Sequence, residues 1–227
     1  GPGIWEPRIG LRHNVHSKLM SWVALDRGVY LAGLFGASES GAQWRQAAQT
    51  IHQELCAKGV HPDGTHFVNA YGEFDADSAL LLMPIHGFLP ARDPRVLGTI
   101  SKVREALGAG PYLYRYKNHD GLEGSEGAFV LCGFWLAEAL AMAGRLGEAQ
   151  EVFVAHAEAS NHLGLLAEEL DPSDGTPLGN FPQAFSHLGL INAASRIDLA
   201  LRLKDAGVDE EPHLTLPVTQ PRPLKKA

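Results

Sequence analysis

Apolar residues recur at intervals of three and four over most of this chain, which is the spacing of one face of an α-helix. Glycine and proline separate the periodic segments. The pattern predicts a helix that starts with Ser38 or Ser40 as N-cap and ends at Gly59, a natural position for a left-handed cap. Together the predicted helices cover roughly residues 14–34, 38–59, 77–87, 93–107, 128–143, 146–160 and 181–206.

The periodicity is interrupted at residues 61–68, where Pro62 and Asp63-Gly64 indicate a turn followed by a short extended piece. Little other strand is expected. The helix predicted at 128–143 is apolar around most of its circumference, which is typical of an inner helix covered by others. We therefore predict an all-α fold, an α/α toroid with long functional loops at one end. A helical-hairpin solenoid is the competing fold, but no fixed repeat period supports it.

The composition is that of an ordinary globular protein, with 45% hydrophobic and 20% charged residues in 227. A net charge of -7 argues against a nucleic-acid partner, because affinity for phosphate depends on clustered lysine and arginine. The basic cluster from Arg222 to Lys226 lies in a proline-rich stretch. We divide the chain into a helical domain over residues 1–206 and a C-terminal tail over residues 207–227.

Two cysteines, Cys56 and Cys132, lie in apolar, helix-patterned segments and are interpreted as free thiols in a reducing compartment. No cysteine or histidine spacing indicates a zinc site, so no metal is expected. No signal peptide and no membrane-length apolar run are visible, so neither a membrane partner nor export is expected. These observations favour a cytoplasmic protein.

Two chain segments place acids beside aromatic or apolar residues. In the first, Trp5 precedes Glu6, and a carboxyl beside an indole can be desolvated and kept protonated as a general acid. A surface glutamate near a packed tryptophan gives the same pattern. In the second, Glu168, Glu169 and Asp171 follow an apolar run. They either present a base to a cleft or form a solvated helix end. Two such carboxyls are what glycoside hydrolysis requires.

Other polar groups are weaker candidates. Arg115, between two tyrosines, can donate hydrogen bonds to sugar hydroxyls, or it can be an ordinary loop arginine. His13, His16, Ser17 and Lys18 form a polar cluster at a predicted helix start, where Ser17 or a neighbour caps the helix, or the cluster binds a ligand. Asp75 and Asp77 are interpreted as cap and turn residues, with sugar contact as the alternative.

Several ordered blocks of the chain form one series along the sequence. They are Gly3-Ile4-Trp5-Glu6-Pro7-Arg8, Arg12-His13, His16 to Arg27, Asp75 to Pro84, Tyr114-Arg115-Tyr116, Asp120-Gly121-Leu122, Glu126 to Phe129, Gly164 to Pro172 and Gly179 to His187. In this order the blocks resemble glycoside hydrolase family 15, which includes glucoamylases, glucodextranases and bacterial trehalases. The resemblance covers the chain to about residue 206.

The resemblance implies specific roles. Glu6 matches the family's general acid, and Glu168 matches the general base that activates water, with Glu169 the less favoured base and a substrate-binding residue. Arg115 matches an arginine that holds hydroxyls of the nonreducing glucose. The family inverts configuration, so the two carboxyls should stand roughly 6.5–9.5 Å apart. Trp5 and Tyr116 would line the same sugar subsite.

The expected substrate is a small carbohydrate, trehalose or an α-glucan oligosaccharide, and no cofactor is implied. The family's toroid has six helical hairpins, whereas this chain supplies about seven helices. Its early substrate contacts would lie upstream of Gly1, and Pro7 replaces a second acid found in fungal glucoamylases. We therefore expect missing upstream material, or a partner chain or oligomer that completes the toroid. A non-catalytic helical module and a related phosphorylase are the alternative functions.

Overall fold

The computed structural model describes residues 3–6, 10–117 and 126–214. Pro7, Arg8, the block from Asp120 to Leu122 and residues 215–227, with the basic cluster, lie outside the described residues. The elements are α1 (Val15–Phe35), α2 (Ser38–Lys58), a 3-10 turn (Ser78–Leu81), α3 (Leu82–Ile85), α4 (Pro94–Leu107), β1 (Gly108–Ala109), β2 (Tyr112–Leu113), β3 (Ala128–Phe129), α5 (Val130–Met142), α6 (Leu146–Glu158), β4 (Glu169–Leu170), β5 (Pro177–Leu178) and α7 (Ala184–Asp205).

The all-α prediction is confirmed, because helices hold most of the described residues and each strand has only two residues. Two details of the α2 prediction are wrong. Its N-cap is Ala37, without a side-chain hydrogen bond, so neither Ser38 nor Ser40 caps it. Gly59 has φ -91°, outside the left-handed region. Glycine is favoured there by space, since an added Cβ would lie 2.7 Å from the Leu55 carbonyl oxygen.

Helix α5 is the innermost helix of the described fold, as its apolar sequence predicts. Eleven of its residues are buried, and it packs against both α6 and α7, while α1 and α2 form a separate antiparallel pair. A buried ion pair joins α5 to α7, with Glu138 Oε2 2.7 Å from Arg196 Nε. None of the described helices is both long and apolar enough to cross a membrane.

The predicted tail begins at residue 207, and its described part packs on the helices. The Ala91 amide donates a hydrogen bond to Glu211, at 2.7 Å. Arg196 donates another to the Pro212 carbonyl, at 2.8 Å. Residues 209–212 therefore lie against the helical body, although they belong to the tail predicted from the sequence. Cys56 and Cys132 are both free thiols, as predicted.

Two small antiparallel sheets extend the loops at one end of the helices. In the larger, β4 lies between β3 and β5, with Phe129 opposite Glu169 and Glu169 opposite Leu178. Because β3 runs directly into α5, this sheet attaches the acidic loop to the innermost helix. The fold thus holds the Glu168–Glu169 segment on a rigid base.

Candidate active site

Trp5 lies at the centre of an aromatic cluster that joins distant parts of the chain. Its ring centroid is 5.5 Å from that of Phe129, 6.0 Å from Trp135 and 6.4 Å from Tyr116. These tilted and edge-on arrangements are the ones that aromatic rings prefer. The N-terminal segment is thereby attached to β3, to α5 and to the loop after β2.

The Arg115 guanidinium lies against the same cluster. Its central carbon is 4.9 Å from the Tyr116 ring centroid and 5.4–5.5 Å from those of Phe129 and Trp5, within the range of cation–π attraction. It also forms a two-pronged ion pair with Glu126, with Nε 2.6 Å from Oε2. A guanidinium fixed by a carboxylate and by three rings presents its donors in one orientation.

The backbone around Arg115 is fixed by the 3-10 turn. The Ser78 amide donates to the Arg115 carbonyl at 2.9 Å, and the Ser78 hydroxyl donates to the Tyr114 carbonyl at 2.7 Å. Asp77, directly before this turn, accepts a hydrogen bond from the Ala79 amide and acts as its N-cap. The prediction that Asp77 is a cap residue is therefore confirmed.

Asp77 also has a partner that its cap role does not require. The Trp5 indole Nε1 donates to both carboxylate oxygens, at 3.0 and 3.1 Å. Asp77 is only 6% exposed. Burial raises the pKa of this carboxyl to about 6, although the hydrogen bonds from Trp5 and Ala79 and the charge of Arg115 oppose the rise.

The acidic loop enters the site beside β3. The Val130 amide donates to the Glu168 carbonyl at 3.0 Å, and the Glu168 amide donates to the Asn180 carbonyl at 3.0 Å. Successive side chains of extended backbone point to opposite faces, so Glu168 and Glu169 have different neighbours. Glu169 accepts from the Gly127 amide at 3.0 Å. Burial, and to a lesser extent Glu126 and Glu168, raise its pKa, while the Gly127 amide and Arg115 lower it.

Glu168 is held by the residues that follow β5. Its Oε2 accepts hydrogen bonds from both the backbone and the side-chain nitrogens of Asn180, each at 2.9 Å. Gly179, in the left-handed region with φ 69°, lies directly against it, and an added Cβ there would be 2.7 Å from Oε2. One oxygen of this half-buried carboxylate is thus fixed by two donors.

Glu6 is an exposed residue beside the aromatic cluster. Its φ of 50° makes it the single described residue other than glycine with positive φ. Such a conformation costs about 1–3 kcal/mol and is concentrated at functional sites. Directly upstream, Gly3 packs on Asn14, since an added Cβ would be 3.2 Å from its side chain. The positive φ therefore breaks regular strand or helix geometry at Glu6.

Of the residues predicted from sequence, Trp5, Arg115, Tyr116 and Glu169 come together in the structure. Glu6 and Glu168 are chain neighbours of members of this group, and their catalytic roles stay predictions. Sequence reasoning did not assign the Arg115 partner Glu126, the Glu168 partner Asn180 or the Trp135 and Phe129 rings. Glu126, Phe129 and Asn180 stand in the quoted blocks and Trp135 lies outside them, and only the contacts identify all four.

Outside this site, the structure brings together His61, Asp63 and His66, whose potential ligand atoms lie within 4.8 Å of one another. Sequence reasoning found no metal set here. The two imidazole rings are stacked, with centroids 4.7 Å apart and planes 15° apart. Asp63 Oδ1 already accepts from the Thr65 amide and hydroxyl, at 2.9 and 2.7 Å. Because the two rings are nearly parallel, the lone pairs of their nitrogens lie in two separate, nearly parallel planes. The side chains would therefore have to rotate before all three could bind one ion.

The sequence is similar to those of proteins named trehalase. It is 44% identical over 199 residues to the one from Thermoplasma volcanium, an alignment that covers 87% of this chain and 32% of the relative. It is 42% identical over 198 residues to the one from Mycobacterium tuberculosis, covering 86% and 29%. The chain thus spans about a third of the length of these curated relatives.

Solved structures share the fold. A wild-type glycosidase matches with a TM-score of 0.70 at 22% identity, over 86% of this chain and 54% of that one. A bacterial glucoamylase complexed with acarbose matches with a TM-score of 0.69 at 20% identity, over 82% and 33%. These neighbours confirm the predicted (α/α)6 toroid type, of which the chain corresponds to a part.

A family model identifies the family of this chain from its sequence. The model of the glycosyl hydrolases family 15 matches residues 1–195, which include every candidate site residue named above. With this match and the trehalase relatives, the chain belongs to glycosyl hydrolases family 15.

Proposed function

We propose that the protein containing this chain hydrolyses a terminal α-glucosidic bond with inversion, and that trehalose is its substrate. The observation that carries the proposal is the convergence of the Trp5–Glu6 and Glu168–Glu169 segments on the Arg115 cluster. The names of the relatives favour trehalose over α-glucan oligosaccharides. Family membership supports a glycoside hydrolase in either case.

Glu6 is the proposed general acid, which protonates the glycosidic oxygen as the bond to the anomeric carbon breaks. Glu168 is the proposed base, which removes a proton from the water that attacks from the opposite face. Both hydrogen bonds from Asn180 fall on Oε2 of Glu168, so we assign the water to Oε1. Two donors on one oxygen would hold the carboxylate in the orientation that the attack needs.

Substrate binding is assigned to the cluster beside these carboxylates. Arg115 would donate hydrogen bonds to hydroxyls of the nonreducing glucose, and Trp5 and Tyr116 would contact the sugar face. Glu169, held by the Gly127 amide, would accept a hydrogen bond from a hydroxyl. No step in this scheme needs a cofactor.

The test is glucose release from trehalose, maltose and isomaltose by the full-length protein. Glu6→Gln and Glu168→Gln should each lower kcat by at least 100-fold, an order of magnitude typical of losing a general acid or base. Glu169→Gln should act mainly on KM. Glu39→Gln, an exposed glutamate on α2, is the matched control. Full activity in Glu6→Gln would show that the acid assignment is wrong.

Product stereochemistry tests the inversion separately. With trehalose as substrate, proton NMR recorded immediately after mixing should show equal amounts of β-glucose, from the attacked residue, and α-glucose, the leaving group, before mutarotation. Release of α-glucose alone would contradict the water-activating role of Glu168, because a retaining enzyme uses its second carboxylate as a nucleophile and would leave both glucose products in the α-configuration.

The alternative is a helical module that requires further helices before it can act. Exposed apolar side chains cover parts of α1 and α7, namely Tyr30, Leu31, Leu34 and Phe35 on α1 and Phe185, Leu188 and Ile191 on α7. We propose that other helices of the toroid, from the same polypeptide or from a partner chain, pack on these faces. The 227-residue chain should then self-associate in size-exclusion chromatography with light scattering. A monomeric full-length protein would indicate that the same polypeptide supplies the covering helices, and an oligomeric one that a partner chain does. An active, monomeric 227-residue chain would contradict this requirement.

A further inference from the structure

The environment of Asp77 is unusual for a carboxylate, because the residue is buried and has a hydrogen-bond partner that its capping role does not need. It is almost wholly buried, yet its cap role uses only the hydrogen bond from Ala79 to Oδ1. The Trp5 indole donates to both of its oxygens across 72 positions of sequence. Asparagine or serine could cap the 3-10 turn without burying a charge, so capping alone does not explain an aspartate here.

We propose that Asp77 is a positioning residue for the proton donor, because it fixes the edge of the Trp5 indole and thereby the direction of the Glu6 carboxyl. The inference rests on the proposed role of Glu6. A peptide bond joins Trp5 to Glu6. The φ of 50° at Glu6 determines the direction in which its side chain leaves the backbone. Anchoring the Trp5 side chain therefore holds the backbone from which Glu6 extends, and loss of that anchor would let the backbone and the acid shift.

The aromatic contacts of Trp5 do not by themselves fix the rotation of its indole, so we assign that role to Asp77. Ring packing against Phe129, Trp135 and Tyr116 sets the depth and tilt of the indole, but it provides no hydrogen-bond acceptor for the Nε1 edge. The hydrogen bond to Asp77 is directional and uses the only polar atom of the ring. It therefore selects one rotation of the indole within the cluster.

The groups that face Asp77 come from four elements. Trp5 approaches from the N-terminal segment, Ala79 from the 3-10 turn, Arg115 from the loop after β2, and the Cys132 thiol from α5. Arg115 is already paired with Glu126, so its charge is shared. The Asp77 carboxylate is consequently held by its partners in a buried position that costs stability. This is expected when a residue is retained for function and not for stability.

The test compares Asp77→Asn with Asp75→Asn in the full-length enzyme, with trehalose as substrate. Asp77→Asn would keep Oδ1 as an acceptor for Trp5 and Ala79 but place an amide donor where Oδ2 now accepts from Trp5. We expect kcat to fall about 10- to 100-fold, the scale of a catalytic group misplaced by about 1 Å, while KM changes less than about threefold. Asp75, exposed two residues away, is the matched control and should keep the wild-type kcat.

Trp5→Phe keeps a ring and removes the donor, so it provides a second variant that breaks the same hydrogen bond from the opposite side. If Asp77 acts through Trp5, Asp77→Asn should lower kcat much less in the Trp5→Phe background than in the wild type. Nitrogen-15 NMR gives a readout independent of turnover. Each tryptophan gives one indole signal, and the signal absent in Trp5→Phe should shift in Asp77→Asn.

The melting temperature separates positioning from structural support. Because burial raises the pKa of Asp77, its neutral replacement should leave the melting temperature at neutral pH unchanged or higher. Wild-type kcat in Asp77→Asn, or equal effects of Asp77→Asn with and without Trp5, would overturn the inference. If Glu6→Gln is inactive and Asp77→Asn is fully active, only the positioning role fails. If Glu6→Gln is fully active, the proposed acid fails and the positioning role with it.

Discussion

Gly179→Ala should lower catalytic activity much more than it lowers stability. The Cβ of an alanine at this position would lie 2.7 Å from Glu168 Oε2 and 3.0 Å from Glu168 Cβ. Nonbonded carbon and oxygen atoms repel each other at separations well below about 3.5 Å. The Glu168 carboxylate must therefore move by roughly 0.8 Å. A displacement of that size at a catalytic group costs on the order of 100-fold in rate. We therefore expect kcat on trehalose to fall about 10- to 100-fold.

The matched control is Gly175→Ala in the same loop. Gly175 has φ 77° and Gly179 has φ 69°, so both alanines incur the cost of a left-handed conformation, about 1–2 kcal/mol. An added Cβ at Gly175 meets nothing within 4 Å. The two variants should lose similar free energies of unfolding, but only Gly179→Ala should lose most of its kcat.

The assay measures kcat for glucose release and the free energy of unfolding in urea for the wild type and both variants. A similar loss of kcat in both would attribute the effect to loop strain instead of the contact with Glu168. Wild-type kcat in Gly179→Ala would refute the reasoning more deeply, because a base that tolerates this displacement is not performing the chemistry assigned to it.

Three further predictions concern stability. Gly133→Ala would place a Cβ 1.8 Å from Nε2 of the buried His156, so we expect a loss of about 1–3 kcal/mol in chemical denaturation, whereas Gly147→Ala, with open space, should be neutral or stabilising. Arg196→Met leaves its buried carboxylate partner unpaired and should cost about 3–5 kcal/mol; an unchanged denaturation midpoint would contradict this. Burial, with a neighbouring histidine, lowers the pKa of His16 to about 4 from the 6.5 of the unfolded chain. The unfolded state therefore binds more protons between those values, and stability should fall by about 3 kcal/mol as pH decreases from 6.5 to 4, a loss that His16→Gln should reduce.

Helix positions were predictable because a helix buries one face, and that face is written in the local spacing of apolar residues. The prediction of residues 93–107 agrees with α4, where Asp93 caps the helix and Pro94 fits its first turn. The two-residue strands were not predictable, because a period of two cannot be recognised in two residues. Gly59 was misassigned because its reason is the close approach of Leu55, not its φ.

The sequence by itself determined the helical class, the inner position of α5 and, through its ordered motifs, the candidates Trp5, Glu6, Arg115, Tyr116, Glu168 and Glu169. These are properties of neighbouring residues, which local spacing and short motifs record. Only the tertiary structure decided that Asp77 receives the indole of Trp5 and that Asn180 and Gly179 hold Glu168. Such contacts join residues far apart in the chain or on opposite sides of a loop, and they exist only after the backbone has brought those segments together.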